Sequence, residues 1–463
     1  MNCIDAIEKL NAEKAALKST PAKERLFRLF DDGSFTELDK FQKNSGGLCE
    51  VYTAYGFVGG SPAYAFSQDI TVSYGAMGRM QAKKIKRIYD LAAENGVPVI
   101  GIFDSDGAHV DEGVEALEAY SELIASAGKL SGVVPQVSVI AGACIGSSAV
   151  LASLADVVVA SKDSEFYVNS PKVLDDKSGR VGTAALAAEN GAAHILADSC
   201  DEALDSVRNL FAYLPQNNLS VAPFADYIAP QPLDVSSADS IINGVVDGGS
   251  FFALSEKFAQ DAVTGFARIC GNAVGVVATN AEDGFLSSAA ALKITRFVRL
   301  CDAFSIPIVT FLNCRGFLGS IENEIAGDVK SVAALTHAYA EATSPKITVI
   351  TGCAVGAGFV AMAGRASGAD SVVAWPCSVI GTLNAETAVE LLYKDRLAAG
   401  EDREKLEAEY EQDVCSPFKA AAAGFIDDII EPNETALKLA SLLEMLSGKR
   451  VNTLAKKHSN MPL

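Results

Sequence analysis

Two stretches decide the architecture of this chain: Val137-Ser138-Val139-Ile140-Ala141-Gly142-Ala143-Cys144-Ile145-Gly146-Ser147-Ser148-Ala149 and, 210 residues later, Ile347-Thr348-Val349-Ile350-Thr351-Gly352-Cys353-Ala354-Val355-Gly356-Ala357-Gly358-Phe359. Each starts two residues after a proline, Pro135 or Pro345, and runs through β-branched residues that favour a strand. Each then passes into small residues that suit a tight turn opening a buried helix. Both lie in uncharged runs, Lys129 to Asp156 and Ile347 to Gly364, long enough to suggest a membrane span, and both carry a G-x-x-x-G. The soluble reading prevails. Prolines and β-branched clusters break the runs into short elements, and no aromatic belt or flanking Lys/Arg cluster marks an interface.

The two stretches are copies. Pro135 and Pro345, Gly142 and Gly352, and Gly146 and Gly356 share the 210-residue offset. Upstream, Ala82-Lys83-Lys84-Ile85-Lys86-Arg87 overlies Ala291-Leu292-Lys293-Ile294-Thr295-Arg296 at an offset of 209, and the match continues through Leu91/Leu300, Pro98/Pro307 and Gly107/Gly316. Gly33-Ser34-Phe35 recurs as Gly249-Ser250-Phe251, and Ala155-Asp156 as Ala369-Asp370. Such ordered repetition implies an internal duplication. The four prolines between Pro215 and Pro232 read as an inter-domain linker, which divides the chain into domains 1–225 and 226–463. Each half repeats a hairpin (52–66; 266–278), an amphipathic helix (80–94; 290–303), a buried strand (97–103; 306–312), a second helix, and the strand with its glycine turn. That order argues an α/β fold.

Composition narrows the function. The 463 residues are 49% apolar and 21% charged, enough for more than one core, and 38 Lys+Arg against 58 Asp+Glu leave a net charge of −20. A nucleic-acid or anionic-membrane surface is excluded as a general property, so an anionic ligand needs a local basic patch. The opening Met1-Asn2-Cys3-Ile4-Asp5 has no basic and apolar leader pattern. Ten scattered Cys without a C-x-x-C, and His only at 109, 194, 337 and 458, fit neither a zinc site nor a disulfide framework. Buried, reduced thiols in a cytoplasmic protein are expected.

Chemistry is best placed at the two glycine turns, where backbone N–H groups without Cβ obstruction could hold a developing oxyanion; small residues there also serve close helix packing. No Ser/His/Asp order, H-E-x-x-H or Walker loop is present. His109, in Asp104-Ser105-Asp106-Gly107-Ala108-His109, is a loop residue with either a catalytic or a capping role. Lys83, Lys84 and Arg87 form a basic helix face that could seat a phosphorylated ligand. Asp106 and Glu112 are the available carboxylate pair for a biotin-independent hydrolase or hydratase.

Several longer motifs resemble one family, the carboxyltransferase (β) subunits of biotin-dependent acyl-CoA carboxylases, of the propionyl-CoA carboxylase and methylmalonyl-CoA decarboxylase type. They include Phe66-Ser67-Gln68-Asp69, Glu112-Gly113-Val114-Glu115, Arg296-Phe297-Val298-Arg299, Cys301-Asp302-Ala303-Phe304, Ala374-Trp375-Pro376, Gly424-Phe425-Ile426-Asp427-Asp428 and the closing Lys457-His458-Ser459-Asn460-Met461-Pro462-Leu463. The resemblance implies two tandem crotonase-like domains of repeated β-β-α units, the first for acyl-CoA and the second for biotin carried on another protein. By motif position, Gly146 and Ser147 would hold the acyl-CoA enolate oxygen and Ala357 and Gly358 the biotin ureido oxygen, with Gly142, Ala143, Gly352 and Gly356 shaping the two sites. It also implies a homo-oligomer, a trimer of dimers, working with a biotin carboxyl carrier protein and either a biotin carboxylase or a membrane decarboxylase subunit. The direction of transfer stays open, as does a scaffold subunit without turnover. The chain departs from the family pattern at Ser147, at Gly356-Ala357-Gly358, at Asp106 and His109 where Gly and Arg are usual, and at Arg315 in place of Pro.

Overall fold

A computed structural model describes residues 3–17, 19–43 and 50–462; Met1, Asn2 and Leu463 of the terminal motifs lie outside the described residues. Two compact units emerge, Met1–Ala187 with Leu196–Phe211, and Ala188–Ile195 with Ala212–Leu463. In the first, Thr36–Leu38 (β1), Val51–Val58 (β2), Ser61–Gln68 (β3), Val99–Ser105 (β4), Gln136–Ile145 (β5), Val157–Ser161 (β6), Glu165–Tyr167 (β7) and Ile195–Ala197 (β8) make a sheet ordered β1-β2-β3-β4-β5-β6-β8, with β7 against β5. The second sheet repeats this plan. Its strands are Phe252–Leu254 (β9), Ala262–Ile269 (β10), Asn272–Thr279 (β11), Ile308–Cys314 (β13), Lys346–Val355 (β15), Ser371–Ala374 (β16), Val379–Gly381 (β17) and Asp428–Ile429 (β18), ordered β9-β10-β11-β13-β15-β16-β18 with β17 against β15. A short parallel ribbon of Phe285–Leu286 (β12) and Gly316–Phe317 (β14) stands apart.

The expected elements are present. Antiparallel hairpins β2/β3 and β10/β11 lead into parallel ladders, joined by helices Arg79–Asn95 (α1) and Val114–Leu130 (α2) in the first unit and Ser288–Ala303 (α4) and Asp328–Glu341 (α5) in the second. The two uncharged stretches fold as β5 with helix Ser147–Ser153 (α3) and β15 with Ala357–Met362 (α6), and no helix among the described residues is long and apolar enough to cross a membrane. Parallel strands covered on both faces need continuous apolar runs. Val137, Val139, Ile140 and Val157 to Ala160 in one unit, and Val309, Ile347, Val349 and Val373 in the other, are fully buried.

Recurring polar residues fix each unit. The Gly-Ser-Phe repeat belongs to a clamp on the hairpin turn: Asp31 accepts the N–H groups of Gly59 and Gly60 (3.1 and 2.8 Å), and Asp247 those of Cys270 and Gly271 (2.9 and 2.7 Å). All four turn residues have positive φ, the two-residue hairpin geometry that matches strand twist, and Cys270 takes it without being glycine. At the start of the central strand, Asp156 accepts the N–H of Gln136 and Asp370 that of Lys346 (2.8 and 2.7 Å). The side chains of Gln136 and Lys346 in turn cap the carboxyl ends of α2 and α5, donating to Ala127 O and Tyr339 O (3.0 and 2.7 Å).

The proline-rich segment contains no helix or strand, but it is not a loose linker. Arg268 donates to Ala212 O and Pro223 O, Ala225 N to Gly271 O, and Gly248 N to Ile228 O, so residues 212–225 pack with the second unit and the division falls after Phe211 rather than after 225. Residues 188–195 join the same unit. There His194 is buried, accepts a hydrogen bond from Arg296 Nε (2.8 Å), and burial, aided by the Arg296 charge, pushes its imidazole down to about 3.

Two outcomes follow for stability. Removing the clamp in Asp247→Ala strands two turn N–H groups and lowers unfolding free energy by about 3 kcal/mol, read from urea midpoints; a loss under about 0.5 kcal/mol would refute the clamp. Because His194 takes up its proton far more readily unfolded than folded, it contributes a fall in stability as pH drops below about 6.5, with a limiting slope of about 1.4 kcal/mol per unit. His194→Gln keeps an acceptor for Arg296 and removes that slope, which thermal melts from pH 7 to 5 would show.

Candidate functional site

At the carboxyl end of β4 the ladder with β5 shifts register between Phe103 and Ser105, and the same shift separates Leu312 from Cys314 beside β15. Beyond it β5 pairs with β7 at Ala143, Cys144 and Ile145, and β15 with β17 at Cys353, Ala354 and Val355. Each central strand then ends in a glycine with almost the same backbone, Gly146 at φ +61°, ψ −128° and Gly356 at φ +55°, ψ −127°. An L side chain rarely adopts that conformation, which sends the chain abruptly into α3 and α6.

The glycines' own N–H groups are committed. Gly146 N donates to Tyr167 O at 2.9 Å and Gly356 N to Gly381 O at 3.0 Å. Gly146 is therefore not one of the free donors, contrary to the motif expectation. The first residues of a helix have no intrahelical acceptor for their N–H groups, so the available pair is Ser147 and Ser148 in the first turn and Ala357 and Gly358 in the second. The 210-residue offset applied to Ala357-Gly358 already points to 147–148. Ser148 is fully buried with its hydroxyl 3.7 Å from Cys144 Sγ, and Gly358 lies where a Cβ would come within 2.7 Å of Cys314 Sγ.

Gly142, Ala143 and Gly352 form the floor. A Cβ on Gly142 would meet Asp104 Oδ1 at 2.2 Å, and one on Gly352 would meet Asn313 Oδ1 at 2.4 Å. The buried Asp104 carboxylate takes the Ala143 N–H and pairs with Arg25 Nη2 at 2.7 Å; Asn313 Oδ1 takes the Cys353 N–H at 2.9 Å. Burial raises the Asp104 carboxyl and Arg25 pulls it back down. These three residues hold the turns in shape from behind.

Of the basic residues expected to seat a phosphate, Lys84 is withdrawn into the interior. Lys84 is buried with Nζ donating to Val51 O at 2.7 Å, whereas Lys83 and Arg87 are both exposed and Arg87 is ion-paired with Asp39. The signal was available, since Lys84 shares the buried face of α1 with Ile85 and Ile88, one and four residues on. Nor do Asp106 and Glu112 make an acid and base pair: Glu112 accepts the Arg79 N–H at 2.7 Å at the start of α1, with Gly78 against its carboxylate. His109 is half-buried, its N–H bonded to Met77 O (2.9 Å) and its Nδ1 buried without a hydrogen-bond partner.

Residues 18–461 match the family model described as "Carboxyl transferase domain". The chain belongs to that family. It is 37% identical to the propionyl-CoA carboxylase carboxyltransferase subunit of Haloferax mediterranei, over 96% of this chain and 93% of that one. It is also 37% identical to the methylmalonyl-CoA decarboxylase subunit alpha of Veillonella parvula, over 98% and 96%. Among solved structures, a transcarboxylase 12S hexamer crystallised with methylmalonyl-coenzyme A and methylmalonic acid is similar with a TM-score of 0.90 at 34% identity, covering 98% of this chain and 94% of that one. The two-domain crotonase-like fold expected from the motifs is therefore the fold of this carboxyl transferase.

In this family member the Asp104 floor depends on its counter-ion. Arg25→Met leaves a buried carboxylate uncompensated and destabilises by about 3–5 kcal/mol, while the double variant with Asp104→Asn recovers most of that loss. Denaturant unfolding of both checks this; equal losses would show that the ion pair is not what Arg25 contributes.

Proposed function

We propose that the protein is a carboxyltransferase subunit that moves a carboxyl group between biotin on a carrier protein and an acyl-CoA of the propionyl-CoA/methylmalonyl-CoA type. The observation that carries this reading is the repetition of one strand-to-helix turn, with matching backbone angles, in both halves of a carboxyl transferase. The first unit takes the acyl-CoA and the second the biotin. Loss of the α-proton moves negative charge onto the thioester oxygen, which the Ser147 and Ser148 N–H groups at the start of α3 would receive. Two such donors contribute on the order of 3 kcal/mol each in comparable oxyanion sites.

Biotin supplies the carboxyl group and, after giving it up, the base that accepts the α-proton. The residues present fit it: Gly356 takes positive φ at the start of helix Ala357–Met362, and the Ala357 and Gly358 N–H groups would hold the ureido oxygen. This accounts for a site in which Asp106 and Glu112 form no acid and base pair. A carrier protein is then required, with a biotin carboxylase if the flow is toward carboxylation or a membrane decarboxylase subunit if it is reversed. We further infer a trimer of dimers in the cytoplasm; the free thiols of buried Cys144, Cys301, Cys314 and Cys415 suit a reducing compartment.

The test is carboxyl transfer by the purified protein from methylmalonyl-CoA or malonyl-CoA to free biotin. Biotin-dependent loss of the thioester's carboxyl group is expected, and no biotin-dependent conversion of any acyl-CoA would overturn the assignment. Proline is tolerated at the first position of a helix and deletes only that N–H. Ser147→Pro and Ala357→Pro should each lower turnover by about 100-fold or more while circular dichroism and melting stay near wild type. Full activity in either would remove that turn from the mechanism.

A further inference from the structure

The duplication places opposite charges at one equivalent position. Ser105-Asp106-Gly107 in the first unit overlies Cys314-Arg315-Gly316 in the second at the 209-residue offset, immediately after the register shift that precedes each glycine turn. Backbone geometry around the position is alike and the side chains are not.

In the first unit Asp106 is exposed, with its N–H bonded to Tyr74 O at 3.0 Å. The next residue, Gly107, lies beside β5, where a Cβ would be in ordinary contact with Ile145 O at 3.4 Å, one residue before Gly146. The carboxylate also bears on Tyr167, the residue whose carbonyl takes the Gly146 N–H: burial, then Glu165, then Asp106 raise that phenol. Among the described residues no Lys or Arg pairs with Asp106. In the second unit the stem of Arg315 packs on Gly284, its guanidinium lies against the Cys353 thiol of the second turn, and Nη1 reaches Glu386 Oε1 at 3.4 Å, with both side chains half-exposed.

We propose that Asp106 is a specificity-determining residue that sets the first turn against acyl-CoA bearing a free carboxylate, while the equivalent Arg315 gives the second turn the opposite preference. This rests on the reading that acyl-CoA occupies the first turn. An exposed carboxylate without a counter-ion repels a like charge several ångströms away and leaves a neutral acyl group unaffected. The protein would then favour the uncarboxylated thioester over its carboxylated partner, a discrimination that the backbone N–H donors cannot make because both thioesters present them the same oxygen.

Calorimetric titration of the full chain with propionyl-CoA and with methylmalonyl-CoA tests this. Asp106→Asn, nearly isosteric and exposed, should tighten methylmalonyl-CoA about three- to tenfold, leave propionyl-CoA unchanged, and lose the gain as salt is raised. Arg315→Gln should leave both affinities unchanged. Equal shifts for the two thioesters in Asp106→Asn, no shift for either, or a CoA effect in Arg315→Gln would each overturn the inference. Wild-type protein that binds neither thioester would overturn the acyl-CoA reading beneath it, an outcome distinct from wild-type binding with an unresponsive Asp106→Asn.

Discussion

Gly146 and Gly356 sit at φ near +60° with ψ near −128°, and each donates its N–H sideways to the short strand beyond the turn. Those two conditions arrange everything around them. The positive φ ends the central strand and starts a helix in one residue, so the helix's first N–H groups face out over the carboxyl edge of the sheet, where parallel α/β folds place ligands. The lateral hydrogen bond fixes β7 or β17 against that edge, and with it the loop that follows. A side chain at either glycine would have to enter a conformation that L residues rarely populate, so the turn and the donors it presents would be lost together.

Around this turn each unit solves the same packing problem with related but unequal means. The carboxylate clamp on the hairpin, Asp31 or Asp247, and the aspartate at the strand entry, Asp156 or Asp370, use one residue type in both copies. Where the copies differ, the substitution keeps the bond and changes the charge: Gln136 and Lys346 both cap a helix end, but the lysine is buried and pushed down to about 8 by desolvation. Lys84 and Lys293, another equivalent pair, each donate to main-chain carbonyls from inside a unit. Buried donors on backbone oxygens satisfy the carbonyls that a helix end or an irregular strand leaves over.

Much of this was legible in the sequence because periodicity and repetition report on backbone and packing. The duplicated glycine turns, the hairpins, and the helices after them follow from spacing alone, and the second copy served as a control on the first. Charge was harder to read. Lys83, Lys84 and Arg87 look like a patch in one dimension, yet only Lys83 and Arg87, one helical turn apart, share the exposed face, and Lys84 falls on the buried one. The division after Phe211 was hidden for a related reason: four prolines exclude regular structure, which is true of the segment, but they do not report that Arg268 reaches back to its carbonyls. Gly146 was paired with Ser147 by motif, and the sequence does not report that its N–H is taken by Tyr167 O.

The floors of the two turns show how a duplicated site can acquire unequal dependence on its surroundings. In the second unit Asn313 is neutral and satisfied by the Cys353 N–H of the turn it supports, so that floor is closed within its own strands. In the first unit the same place holds Asp104, buried, and its charge is met by Arg25 from helix Pro21–Leu29, which precedes the sheet altogether. A buried carboxylate without its partner is worse than no carboxylate at all, because desolvation is then uncompensated. The first turn is thereby tied to helix Pro21–Leu29 through one ion pair, whereas the floor of the second is a neutral Asn313. The Gly142 contact and the Ala143 bond to Asp104 therefore depend on a residue supplied from outside the sheet.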